Sequence, residues 1–106
     1  MPEVQFEFTW PDGTKETAYS PSLVVKQYFE VGQIYPLKDF LERSRTALQI
    51  ASDRVEKKYG YPCSIALRQL KQIETTGTQF SQHQDPKVQI LRFIEYELDP
   101  KNWTSS

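Results

Sequence analysis

The chain holds one cysteine, Cys63, and one histidine, His83, among its 106 residues. A single thiol excludes an internal disulfide, and one cysteine with one histidine cannot assemble a zinc cluster within one chain. No metal or other cofactor is expected. Only four glycines are present, and none stands in a phosphate-cradling loop or a nucleophile elbow. Long apolar runs are missing too. Nothing approaches the ~18 residues of a membrane span, and "MPEVQFEFTW" alternates apolar with polar residues instead of following the signal-peptide pattern. These absences predict a soluble, cytoplasmic protein without a membrane partner. Lysine and arginine number 13 against 14 acidic residues, a net charge of −1, so no nucleic-acid partner is expected on electrostatic grounds.

What is present suits one ordinary core: 38% of residues are hydrophobic and 13% aromatic. Val4, Phe6, Phe8 and Trp10 alternate with polar residues in the period of a half-buried strand, and "PDG" at 11–13 supplies turn chemistry. A second strand from about Thr14 to Ala18 completes a hairpin. "YSPS" at 19–22 then breaks it. The β-branched residues of "SLVVKQYF", 22–29, suit a strand, while the Ser-Pro-Ser start favours a short helix.

The spacing predicts a long helix over 36–59. Pro36 stands at the first turn, Asp39 and Glu42 near the positive end, Lys57 and Lys58 near the negative end, and Gly60 after the last turn. Leu37, Phe40, Leu41, Ala47, Leu48, Ala51, Val55 and Tyr59 fall on one arc, the core face. A second helix begins at Pro62 and ends at Gly77, with Cys63, Ala66, Leu67, Leu70 and Ile73 inward. Residues 75–86 read as a loop anchored by Phe80. "KVQILRFIEYEL" reads as a third strand with Val88, Ile90, Ile94 and Tyr96 on one side and Glu95 and Glu97 exposed. The expected fold is α+β: an antiparallel sheet of about three strands, two packed antiparallel helices, and a short third helix. Residues 1–98 are expected to form one domain, and 99–106 a frayed tail for which Trp103 is the one candidate anchor.

Two readings of Cys63 stand side by side. At a helix N-terminus a thiol can be activated; the helical projection instead places it on the apolar arc, as a small buried hydrophobe. Ser44 lies near the centre of the long helix's apolar face, where its hydroxyl needs a partner. That partner is a carbonyl one turn earlier, or the "YSPS" loop, or a ligand. Arg43 and Arg54 border the same face. They snorkel beside the core, or they join Ser44, Tyr19, Ser20, Ser22 and Ser64 in a pocket for a carboxylate or phosphate. Ile50 and Ile65 fall on the polar sides of their helices and suggest a partner surface, for which a homodimer is one candidate. No histidine stands beside a nucleophile, so an enzyme is disfavoured.

"WPDG", "YSPSLVV", "RSRTAL", "ASDRV" and "KYGYPCS" occur in this order. In these segments the chain resembles a family of small bacterial nitrogen starvation response proteins over residues 1–75, with 78–106 as an extension. The resemblance implies a role in nitrogen limitation beside the products of a shared gene cluster: a nitrilase, a radical-SAM protein and an acetyltransferase. It implies no reaction, cofactor or catalytic residue. The expectation is an accessory or binding protein, and the alternative is a small-molecule binder or weak enzyme on the Arg43/Ser44/Arg54 side.

Overall fold

The computed structural model describes residues 3–96. The expected tail, its Trp103 anchor and the last two residues of the third strand lie outside that range. Strand β1 (Glu3–Thr9) and strand β2 (Lys15–Ser20) form the hairpin, with Val4 opposite Ser20 and Thr9 opposite Lys15. The turn closes as its residues require: the Trp10 N–H donates to the Thr14 carbonyl at 2.8 Å, and the Thr14 N–H to Asp12 Oδ1 at 2.9 Å. β2 runs through Tyr19 and Ser20, so "YSPS" ends the strand two residues later than expected.

A single helical turn, α1 (Val25–Tyr28), follows, as the Ser-Pro-Ser start favours. Helix α2 (Leu37–Tyr59) starts one residue later than expected, with Pro36 as its extended N-cap instead of its first residue, and ends as expected: Gly60 adopts φ 88° while its N–H donates to the Glu56 carbonyl. That left-handed C-cap conformation strains residues with a β-carbon. Helix α3 (Ser64–Gln79) departs from expectation at both ends. Its first residue is Ser64 rather than Pro62. It also continues through Gly77, because that buried glycine faces α2: a β-carbon there would stand 2.7 Å from Leu41 Cδ2. The glycine permits a close helix–helix approach and stops nothing.

The sheet has four strands rather than about three. Its order is β2-β1-β4-β3, all neighbours antiparallel, where β3 is Ile34–Pro36 and β4 is Lys87–Tyr96. β3 is too short to show a period. Backbone bonds attach its approach to β4: the Gly32 N–H donates to the Ile90 carbonyl at 2.7 Å and the Ile90 N–H to the Gln33 carbonyl at 3.1 Å. β4 also carries a bulge. Glu7 opposes Arg92 and Phe8 opposes Ile90, so Leu91 is the extra residue. Val88 and Ile90 are buried as expected, but beyond the bulge the strand changes face. Phe93 now opposes Phe6 on the core side, while Ile94 opposes Gln5 on the other. Glu95 is exposed as expected, although it opposes Val4, and forms an ion pair with Lys26 of α1 at the sheet's rim.

The core is aromatic. The Phe40 ring lies 4.8 Å from Phe8, 5.3 Å from Phe29 and 5.7 Å from Trp10. Trp10 directs its indole N–H to Glu16 Oε1 and receives Phe80 at 5.7 Å, so Phe80 anchors the segment after α3 as expected.

Candidate functional site

The segment between β2 and β3 lies along α2 and is held at both ends by arginine. At one end Ser20 Oγ donates to the Ser22 carbonyl at 2.7 Å, and Ser22 Oγ accepts the Val24 N–H at 3.3 Å and Arg54 Nη1 at 3.1 Å. At the other, Arg43 Nη1 donates to the Tyr28 carbonyl at 2.8 Å, its Nε to Asp39 Oδ2 at 2.9 Å, and its guanidinium stands 5.0 Å from the Tyr35 ring. Eleven residues of helix separate the two arginines by roughly 16 Å along the axis. The structure thus brings Ser20, Ser22 and Arg54 together, and leaves Arg43 apart from them.

Ser44 joins neither end. It is fully buried and its Oγ has no hydrogen-bond partner, so neither the carbonyl one turn earlier nor the "YSPS" loop satisfies it. An unpaired buried hydroxyl is unfavourable by about 1–3 kcal/mol. Ser44→Ala is therefore expected to raise stability by about 1 kcal/mol, a melting increase of a few degrees in a thermal scan. A loss of stability would show that the hydroxyl is satisfied in solution.

Tyr19 and Ser64 sit elsewhere, in a cleft of about 380 Å³ beside the α2–α3 corner. Glu3 of β1, Tyr19 of β2 and Pro21 form its sheet side. Val55 and Tyr59 come from α2, and Tyr61, Cys63, Ser64 and Ile65 complete it across the corner. Cys63 is half-buried in this wall rather than in the core. With φ −79° and ψ 102° it is the extended N-cap of α3, so helical spacing does not place its side chain. Its N–H donates to Ser52 Oγ at 3.3 Å, which ties the corner back to α2.

Tyr19 fixes the opposite wall. Its backbone N–H donates to Gln69 Oε1 at 3.2 Å and its hydroxyl to Glu3 Oε1 at 3.1 Å. Burial first, and then the bond to the Glu3 carboxylate, push the phenol's ionisation well above its ordinary range. It therefore remains a neutral donor. The cleft's outer rim is large, apolar and exposed: Tyr59 is 51%, Tyr61 66% and Ile65 56% exposed.

Sequence reasoning missed most of this site. Ile65 lies on an outward face as its spacing predicts, whereas Tyr59, expected on the core face, is exposed, and Glu3, Tyr61 and Ser52 are not among the expected site residues. A signal existed for two of them: tyrosines on both sides of a helix-ending glycine have little core left to enter. Ser52 repeats the spacing of Ser44 and Leu48 at four-residue intervals. Among the described residues no group of three or more His, Cys, Asp and Glu side chains could hold a metal ion. No described helix is long and apolar enough to cross a membrane.

A family model described as nitrogen starvation-induced protein NitG matches residues 5–93. The match runs through most of β4, so the segment after Gly77, up to Phe93, is part of the shared pattern and not an extension. No curated protein and no solved structure matches the chain.

Proposed function

The chain belongs to the NitG family of nitrogen starvation-induced proteins, and from that premise we propose that it is a non-catalytic accessory or binding protein of the bacterial response to nitrogen limitation, working through the cleft at the α2–α3 corner. The observation that carries this reading is the exposed cluster of Tyr59, Tyr61 and Ile65 around a concave, largely apolar site. Contiguous large apolar side chains in water mark interaction surfaces, whereas isolated ones are ordinary. Its partners on this reading are proteins encoded with it, among them the nitrilase, the radical-SAM protein and the acetyltransferase. The chemistry in the cleft is that of recognition: Cys63 has no imidazole partner beside it, and Tyr19 is held as a neutral donor.

The arginine side of α2 has less to support it. Arg43 already gives two donors to Asp39 and Tyr28, and the shallow depression beside it also presents Asp39 and Glu42, whose charges oppose an anionic ligand.

The experiment is co-purification from nitrogen-starved cells with the wild-type chain and with a Tyr61→Ser/Ile65→Ser variant. Both side chains are mostly exposed, so the variant is expected to melt within a few degrees of the wild type. The three cluster proteins are assayed by mass spectrometry. At least one is expected with the wild type and at least tenfold less with the variant. Recovery of none by the wild type, or equal recovery by both, overturns the reading.

A further inference from the structure

The cleft has a sign as well as a shape. Of the residues that line it, Glu3 is the one carboxylate and none is lysine, arginine or histidine; the Tyr19 phenol is held protonated, and the other walls are tyrosine, proline, valine, isoleucine, cysteine and serine. Glu3 reaches one carboxylate oxygen to Tyr19, and among the described residues it has no cationic partner. Three tyrosine rings, Tyr19, Tyr59 and Tyr61, border the same space. The faces of aromatic rings attract cations, and a carboxylate beside them adds a direct charge pair. The protein itself displays this attraction: Lys58 Nζ stands 5.6 Å from the centre of the Tyr59 ring.

We infer that the cleft takes a basic side chain, lysine or arginine, from a protein partner, with its cation at Glu3 and its neighbouring apolar residue over Tyr61 and Ile65. The inference rests on the binding role proposed above and specifies the partner's chemistry. The position of the cation follows from the cleft's polarity. Its Cys63–Ser64 wall is the amino-terminal end of α3, where unpaired amide N–H groups carry partial positive charge. A cation is therefore favoured at the Glu3 and Tyr19 wall and disfavoured at the other. A long, flexible aliphatic stem also suits the site, because it can lie along apolar walls while its head meets the acid. The exposed rim favours a segment presented by a folded partner over an enclosed small molecule.

The test is an amide-resonance titration of the full chain with three blocked tripeptides, acetyl-Leu-Lys-Leu-amide, acetyl-Leu-Arg-Leu-amide and acetyl-Leu-norleucine-Leu-amide. The basic peptides are expected to give saturable shifts confined to residues 3, 19, 59, 61 and 63–65, with the norleucine peptide at least tenfold weaker. Glu3→Gln keeps an acceptor for the Tyr19 hydroxyl and removes only the charge, and is expected to weaken the basic peptides at least fivefold. Lys58→Gln, which removes the competing ammonium from Tyr59, is expected to strengthen them about twofold. Equal binding of the norleucine peptide, shifts outside the cleft, or less than a twofold effect of Glu3→Gln overturns the inference. Co-purification that is lost with the Tyr61/Ile65 variant but unchanged with Glu3→Gln leaves the binding role standing and removes the cation from it.

Discussion

Phe40→Ala is expected to lower the unfolding free energy by about 3–5 kcal/mol and the melting temperature by roughly 15–30 °C. Phe40 is fully buried, and its ring meets Phe8, Phe29 and Trp10, one from each strand end or loop that converges on α2. Truncation removes the transfer free energy of the ring and leaves a cavity that three other aromatic rings, each held by its own backbone, can only partly fill. A domain of this size has about 5–15 kcal/mol in total, so the variant stands near the limit of folding. Urea and thermal unfolding of the variant against the wild type measure the loss. Phe40→Leu is the control that remains foldable, with a loss expected at roughly half that size. If Phe40→Ala loses less than about 1.5 kcal/mol, the aromatic cluster is not the centre of the core.

The second large effect is at Gly77. Gly77→Leu is expected to destabilise by about 1–3 kcal/mol, because the side chain must displace Leu41 from the α2–α3 contact. Gly77→Ala is the sensitive companion. Helix propensity favours alanine by about 1 kcal/mol, while its β-carbon would lie 2.7 Å from Leu41 Cδ2 and force that side chain aside. The two terms nearly cancel. In a Leu41→Ala background the obstruction is gone and the propensity gain alone is left, so Gly77→Ala should become stabilising there. Unfolding measurements on the four chains of this cycle isolate the coupling. Simple additivity, or a Gly77→Leu chain as stable as wild type, would place the helices further apart than they stand.

The parts of the fold that sequence made legible are those whose period is long and whose ends carry their own chemistry. The β1–β2 hairpin has strict alternation and a Pro-Asp-Gly turn, and α2 has acids at its start, lysines at its end and Gly60 beyond. β3 escaped because three residues paired with Lys87, Val88 and Gln89 of β4 leave no side-chain period to read. The change of face in β4 escaped for a related reason: one extra residue, Leu91, shifts the phase, and an apolar residue there is compatible with either side. Gly77 reads as a helix stop in sequence because a helix-ending glycine and a contact glycine look alike until the neighbouring helix is known.

Of the candidate site, Tyr19, Ser64 and the outward position of Ile65 were visible, whereas the cleft was not. It is assembled from β1 and β2 on one side and, about forty to sixty positions further along the chain, the α2–α3 corner on the other. Arg43 and Arg54 did stand out as polar groups near an apolar face. Their hydrogen bonds to Tyr28 and Ser22 hold a chain segment against α2, a role that depends on where that segment crosses the helix.

The order β2-β1-β4-β3 has a consequence for how the protein is made. The strand pair at the centre of the sheet joins the first described element to the last, so every element between them is translated before β1 acquires its second neighbour. Before β4 is made, the strands available are the two of the hairpin and the three residues of β3, and a lone hairpin is marginal in water. The sheet is complete only when β4 pairs with both β1 and β3, a pairing of high sequence separation that slows folding relative to local contacts.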